Sequence, residues 1–361
     1  MAFPFRFAVV IAMAVLQMIH PTAFAQDSIA DTPIPRPRHE QPVIAVIALN
    51  EGTETTDFLV PYAVLHRANV ATVEAIAPRP GRVTLMPALT IELQDDIASF
   101  DRRHPDGADY VIVPAMHADN DPIILQWMRA QAARGAVIVA VCSGALVAGN
   151  AGLLDGRRFA GHWYDRGKLS SRHPGATHVP DRRYVVDRDV VTTTGVSASV
   201  PVSLAIVEAI AGYARAEAVA HSLGVRTWGT AHDSAAFGLE ARHLLTLAIN
   251  AAAFWRHETI AIPVEDGIDD IQLALAADAW SRTYRSQAVA IAKGAVRMRS
   301  GLTLVPATPA SDNWVHRVPL HMKTPPARQL QDTLDDIGRH YGAATRQLVA
   351  LMLEYRDNGG Y

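Results

Sequence analysis

An uninterrupted apolar run, VIAVIAL at 43–49, constrains this chain more than any other feature. A strand with no polar face has no side to offer water, so it belongs inside a parallel sheet covered on both faces. The pattern then alternates. Phe58, Leu59, Tyr62, Leu65 and Ala68 recur at helical spacing, with Pro61 expected in that helix's first turn. ATVEAIAP and RVTLMP read as strands, DYVIVPA as a strand entering a loop, and DPIILQWMRAQAARG as a helix closed by Gly135. AVIVAV is another buried strand, YVVDRDVVTTTG a β-ribbon or strand pair, and SVPVSLAIVEAIAG an apolar helix. Strands alternating with helices over about 150 residues predict an α/β parallel-sheet sandwich.

The chain's ends and charge narrow its setting. Residues 1–25 carry Arg6, an apolar run of about a dozen residues, and Ala23 and Ala25 ahead of a cleavage point, the order of a secretory signal. Residues 26–41 are polar and Pro-rich and read as a linker. No other stretch reaches the ~20 apolar residues of a membrane span. The expectation is a periplasmic or secreted protein with no stable membrane insertion after signal cleavage. A net charge of −3 gives no electrostatic footprint for nucleic acid. One cysteine excludes an internal disulfide framework and a thiolate zinc cluster. The fifteen histidines show no HExxH spacing, so neither a metal nor another cofactor is expected.

After residue 258 the chain starts again. TIAIPVEDGIDDIQLALAADAW, QAVAIA and GLTLVP echo VIAVIALNEGTETTDFLVPYAVL, ATVEAIA and RVTLMP, the last pair sharing a T-L-x-P signature. A gapless match of Gly52 with Gly267 puts Gln272 where the first copy has Asp57. Two closing helices are predicted over about 326–338 and 343–355. The resulting organisation is a main domain at 42–240, a connecting helix at 241–258, and a truncated, non-catalytic repeat at 259–361.

The sharpest local signal is AVIVAVCSGALVAGNAGLLDG, where a buried strand runs into Cys142 and Ser143-Gly144 opens a helix. A nucleophile at such a turn is pushed out of the sheet on a strained backbone, and the next N–H faces a developing oxyanion. A helix N-terminus beneath it predicts a lowered thiol pKa. Gly144 suits the close approach the turn requires. The alternative is that Cys142 is a small buried apolar residue.

These residues carry a resemblance. VAVCSGALVAGNAGLLDGRRFAGHW, DRRYVVDRDVVTTTGVSASVPVSLAIVEAI and LGVRTWGTAHDSAAFGL resemble the ThiJ/PfpI family of the class I glutamine-amidotransferase-like superfamily. Within it they are similar to the branch containing isonitrile hydratase and the amidase-like domain of AraC-type regulators. The resemblance implies a flavodoxin-like sheet with a nucleophile elbow. It also implies Cys142 as nucleophile, Asp57 as the acid reaching the thiol, His162 of GHW as the imidazole, and Ser143 as the adjoining hydroxyl. Asp57 alternatively reads as a helix cap, and His162 as a half-buried histidine. Ser143 and Gly144, with Ala115 and Met116 from the loop after DYVIVP, are the expected oxyanion-binding residues, Ala115 still able to donate its N–H. The loop that usually supplies a second donor through a glycine pair here reads Pro114-Ala115-Met116-His117. The expected function is an exported cysteine-dependent hydratase or amidase-type hydrolase for a small molecule. The alternative is a non-catalytic periplasmic ligand or redox sensor. A homodimer stays open, and so does occupation of the dimer face by the C-terminal repeat.

Overall fold

The alternating apolar segments do form a central sheet. In the computed structural model, which describes residues 32–307 and 316–356, the first copy runs β1 (Val43–Ile47), α1 (Thr55–Ala68), β2 (Thr72–Ile76), β3 (Gly81–Met86), β4 (Leu89–Leu93) and β5 (Tyr110–Val113). It continues through α2 (Pro122–Ala133), β6 (Val137–Ala140), α3 (Gly144–Asn150), the hairpin β7 (Tyr184–Asp187) and β8 (Val190–Thr193), α4 (Ser199–Ala211) and α5 (Tyr213–Leu223). The six-stranded sheet has the order β7-β8-β6-β5-β1-β2 and is parallel except for the β7–β8 ribbon. Ile44 and Val46 pack into one core while Ala45 and Ile47 pack into the other, so β1 is apolar throughout because both its faces are covered. The signal-like residues 1–25 lie outside the described residues.

Helix α1 begins earlier than its apolar spacing suggests. Glu54 is its N-cap and accepts the Asp57 N–H, so Pro61 falls in the second turn instead of the first. There Pro61 lacks the N–H that would bond the Asp57 carbonyl. The helix is buried on nearly every side, from Thr55 to Leu65. A second layer of structure accounts for this.

That layer is the C-terminal copy. After the helix α6 (Ala241–Ala252) come β9 (Glu258–Pro263), α7 (Asp270–Ser281), β10 (Ser286–Ile291), β11 (Val296–Arg297), β12 (Thr303–Leu304) and β13 (His316–Arg317). Two helices close it, α8 (Gln329–Tyr341) and α9 (Ala343–Met352). β9 lies parallel between β10 and β13, as β1 lies parallel between β2 and β5. Gly212 joins α4 to α5 at φ 80°, ψ 168°, and Gly342 joins α8 to α9 at φ 89°, ψ 164°. The same left-handed elbow therefore links the two final helices of each copy.

The two regions pack against each other within one chain. Helix α1 packs on α7, its counterpart. Strand β12 pairs antiparallel with β4 in a five-stranded sheet completed by β11, β3 and Thr53–Glu54. Leu304 lies opposite Ile91 in that pairing. This corrects the T-L-x-P match: GLTL at 301–304 is the counterpart of ALTI at 88–91, not of RVTLMP. Equivalent strands meeting at equivalent residues is the geometry of an isologous two-fold contact. No helix of the described residues is long and apolar enough to cross a membrane.

Candidate active site around Cys142

The strand-to-helix turn bends as the sequence predicts. Cys142 has φ 55°, a left-handed conformation that is strained for a residue bearing a Cβ. Two hydrogen bonds and the close approach of Gly144 to the sheet hold it there. The Cys142 N–H donates to Thr193 Oγ1 at 2.9 Å, at the end of β8. The Gly144 N–H closes the turn on the Val141 carbonyl at 2.8 Å. A Cβ on Gly144 would stand 2.1 Å from the Val113 carbonyl oxygen, so only glycine fits between the elbow and β5. Gly144 thus shapes the turn, and its N–H is spent on it instead of facing an oxyanion.

Cys142 is buried, 8% exposed as a residue. Burial pushes its pKa well above the ordinary value; the negative charges of Asp57, Glu54 and Glu354 push it further, and the Ser143 N–H pulls weakly the other way. The lowered pKa expected from the helix N-terminus is overturned. The seven-residue α3 offers less than the acids and the lost solvent take away. Sγ lies 3.9 Å from Ser143 Oγ, and that hydroxyl donates to Asp165 Oδ2.

Asp57 is fully buried on α1. Its Oδ2 accepts the Ala115 N–H at 3.3 Å, while Oδ1 has no hydrogen-bond partner among the described residues, so the expected hydrogen bond from Asp57 to the thiol is not made and the carboxyl acts on Cys142 through its charge. Burial raises its pKa to about 7, against the pull of the Ala115 N–H and Arg282. Asp57 is not the cap of α1: Glu54 Oε2 accepts its backbone N–H at 2.6 Å. Ala115 correspondingly does not present a free N–H to an oxyanion. Met116 is buried in the core beneath the sheet and bridges to Thr53.

His162 sits beside the site with both ring nitrogens engaged. Nδ1 accepts the Tyr164 N–H at 3.3 Å, and Nε2 lies 3.1 Å from the Met352 carbonyl oxygen, so Nε2 carries the proton. Burial lowers its pKa, which fixes the ring as neutral near pH 7. The expected imidazole–thiol contact is replaced by these two bonds. Trp163 Nε1 likewise donates to the Leu351 carbonyl at 2.8 Å.

The C-terminal copy supplies a cation. Arg282, which caps α7, donates to Glu54 at 2.7 Å and to Asp278 at 2.7 Å. Both acids are buried and both have raised pKa values, chiefly through desolvation. Thr56 Oγ1 donates to Glu54 Oε2 at 2.8 Å. Arg282 stands fifteen residues after Gly267, as Arg67 stands after Gly52, and Arg67 pairs with Asp269, the counterpart of Glu54. The two ion pairs cross the pseudo-two-fold contact in opposite directions. Glu54, Thr193, Asp165 and Arg282 were not singled out from sequence. The repeat itself held the signal for Arg282, because its offset from the glycine matches that of Arg67. Among the described residues no His, Cys, Asp and Glu cluster is arranged to hold a metal ion.

The chain is similar to several known proteins, and spans less than half the length of the curated relative it matches. Residues 43–209 match the DJ-1/PfpI family model. Over 99 residues the chain is 35% identical to the isonitrile hydratase of Pseudomonas putida, a match spanning 27% of this chain and 42% of that protein. Among solved structures, Drosophila melanogaster DJ-1beta aligns with a TM-score of 0.47 at 22% identity, over 52% of this chain and 99% of that one. An AraC family transcriptional regulator from Pseudomonas putida aligns at 0.44 and 22% identity, over 50% and 98%. A ThiJ/PfpI family protein from Pseudomonas syringae aligns at 0.44 and 24%, over 56% and 81%.

Proposed function

We propose, for a chain that carries a DJ-1/PfpI family domain over residues 43–209, that it is an exported cysteine-dependent enzyme hydrating a small molecule of the isonitrile class. The observation that carries the reading is the strained Cys142 elbow beside a buried carboxyl, Asp57, whose pKa of about 7 suits proton transfer at neutral pH. A thiol kept protonated needs a neighbour that takes its proton as sulfur attacks. Asp57 Oδ1, without a partner among the described residues, is the oxygen available for it. In the proposed step Sγ bonds the isonitrile carbon while the thiol proton passes through Asp57 to that same carbon, giving a thioimidate. Water then adds to the C=N bond and the Cys142 thiol leaves, yielding an N-substituted formamide. Arg282 and Glu54 act as positioning residues that hold the charge beside Asp57. Ser143 keeps a hydroxyl next to the thiol. The 35% identity to an isonitrile hydratase supports the substrate class, and the signal-like residues 1–25 support export.

The experiment is turnover of a small isonitrile panel, read as the formyl proton by NMR. Activity lost in Cys142→Ala and in Asp57→Asn is the expected result; a folded wild-type protein that turns over none of them overturns the reading. One observation favours a second reading, a ligand sensor: both His162 nitrogens are occupied, Nε2 by the Met352 carbonyl and Nδ1 by the Tyr164 N–H, so the imidazole is not free for proton transfer. Tight binding of a metabolite without turnover would select it.

A further inference from the structure

The end of α9 does more than close the site. Its last turn carries Glu354 across to the first copy, with Glu354 at φ 50°, a left-handed position that usually falls to glycine at a helix C-terminus. The strained backbone is held by the Ser197 hydroxyl, which donates to the Glu354 carbonyl at 2.7 Å. The side chain is 2% exposed. Its carboxylate accepts the Gly195 N–H on Oε2 and the Trp163 N–H on Oε1 at 3.3 Å. His232 Nε2 lies 3.7 Å from Oε1, makes no hydrogen bond among the described residues, and is oriented by stacking of its ring on Phe237.

Two backbone N–H groups and an imidazole converging on two oxygens form a carboxylate cradle. The cradle belongs to the Cys142 site: Gly195 and Trp163 flank His162, and a Cβ on Gly195 would fall 2.7 Å from Glu354 Oε2 and 2.9 Å from His162 Cδ2. It also opens outward. Glu354, His232 and Phe237 line a 610 Å³ cavity together with His243, Arg346 and Tyr355, a size suited to a small ligand. Glu354 therefore stands between an outer chamber and the buried thiol.

We propose that the Gly195–Trp163–His232 cradle is a carboxylate subsite, and that Glu354 fills it as a built-in competitor until a ligand's carboxylate takes its place. The ligand class is a small organic carboxylate entering from the outer chamber. This holds whether Cys142 turns its ligand over or only binds it, so failure of the hydratase reading leaves it standing.

The test uses the full chain, with acetate as probe and neutral acetamide as control. Glu354→Ala empties the cradle, and Glu354→Gln keeps the side chain's size while removing its charge. In both, the Gly195 amide proton resonance moves upfield, and acetate, but not acetamide, moves it back. Iodoacetamide labelling of Cys142, the single cysteine, rises about tenfold in Glu354→Ala, the scale of losing charge-assisted bonds that hold the closed form. Acetate slows that labelling again. A Gly195 resonance in either variant that ignores acetate, or an Ala variant labelled at the wild-type rate, overturns the proposal. The Gln variant carries the resonance test on its own if the Ala variant does not fold.

Discussion

Replacing Arg282 by Ala removes a guanidinium that bonds both Glu54 and Asp278. The Arg282 side chain is 21% exposed, Glu54 10% and Asp278 0%, and each contact is 2.7 Å long. Truncating one partner of a buried pair leaves the other charge desolvated and unpaired, at a cost of about 3–5 kcal/mol. Here two acids are orphaned, but both already have raised pKa values and relieve part of the penalty by taking up protons. The expected loss at pH 8 is therefore about 3–5 kcal/mol and not twice that. The sign with pH follows from linkage. A carboxyl whose folded pKa lies above its unfolded one contributes stability below the unfolded pKa and loses it as pH rises through the folded value. Without Arg282 the folded pKa values climb further, so the gap between wild type and variant is small near pH 4.5 and widens toward pH 8. Urea unfolding at both pH values measures it. Adding Glu54→Gln to Arg282→Ala removes one orphaned charge and recovers part of the loss, a coupling visible in a double-mutant cycle. A variant within 1 kcal/mol of wild type at pH 8, or a gap that narrows as pH rises, refutes the assignment of Arg282 as the cation of this buried cluster.

Other expectations follow from the same geometry. Iodoacetamide labelling of Cys142 titrates above the ordinary cysteine range, because burial and three nearby acids raise its pKa; Asp57→Asn removes one of those charges and shifts the profile down. Gly144→Ala forces a methyl onto the Val113 carbonyl 2.1 Å away and costs about 1–3 kcal/mol in thermal or urea unfolding. If Asp57 takes the thiol proton, kcat/KM rises with pH through about 7, since its carboxylate form is the competent one; a rate falling through that range assigns it the acid role from the start. With α1 covered by α7, light scattering reports a monomer, whereas removal of residues 259–361 uncovers the apolar side of α1 and yields oligomers or aggregates.

What sequence reveals here is what local pattern determines. β1 is legible because a strand covered on both faces must be apolar at every position, and the elbow because a buried strand meets Cys142-Ser143-Gly144 directly. The cap of α1 is less legible: Glu54 and Asp57 stand three residues apart, either fits an N-terminal signal, and their order is settled by Asp57 being drawn into the core beside Ala115. The low thiol pKa fails as an expectation for a non-local reason. Burial by the surrounding fold raises it most, and the acids that add to this come from α1, its N-cap and the tail of α9, brought to Cys142 only by the fold. Arg282 illustrates the same limit. Its neighbours on α7 identify a helix, but its partner Glu54 is identified only once the two copies are set face to face. The T-L-x-P match slipped because the two hairpins share strand chemistry, and only the pairing of Leu304 with Ile91 fixes their register.

Covalent addition to sulfur is open to direct observation. Intact-mass spectrometry after mixing the protein with one equivalent of a small isonitrile should show the chain heavier by the mass of that isonitrile, with the added mass disappearing as formamide accumulates and absent in Cys142→Ala. A wild-type chain that stays at its own mass through complete conversion of the isonitrile, or an adduct that persists in Cys142→Ala, contradicts nucleophilic chemistry at the elbow.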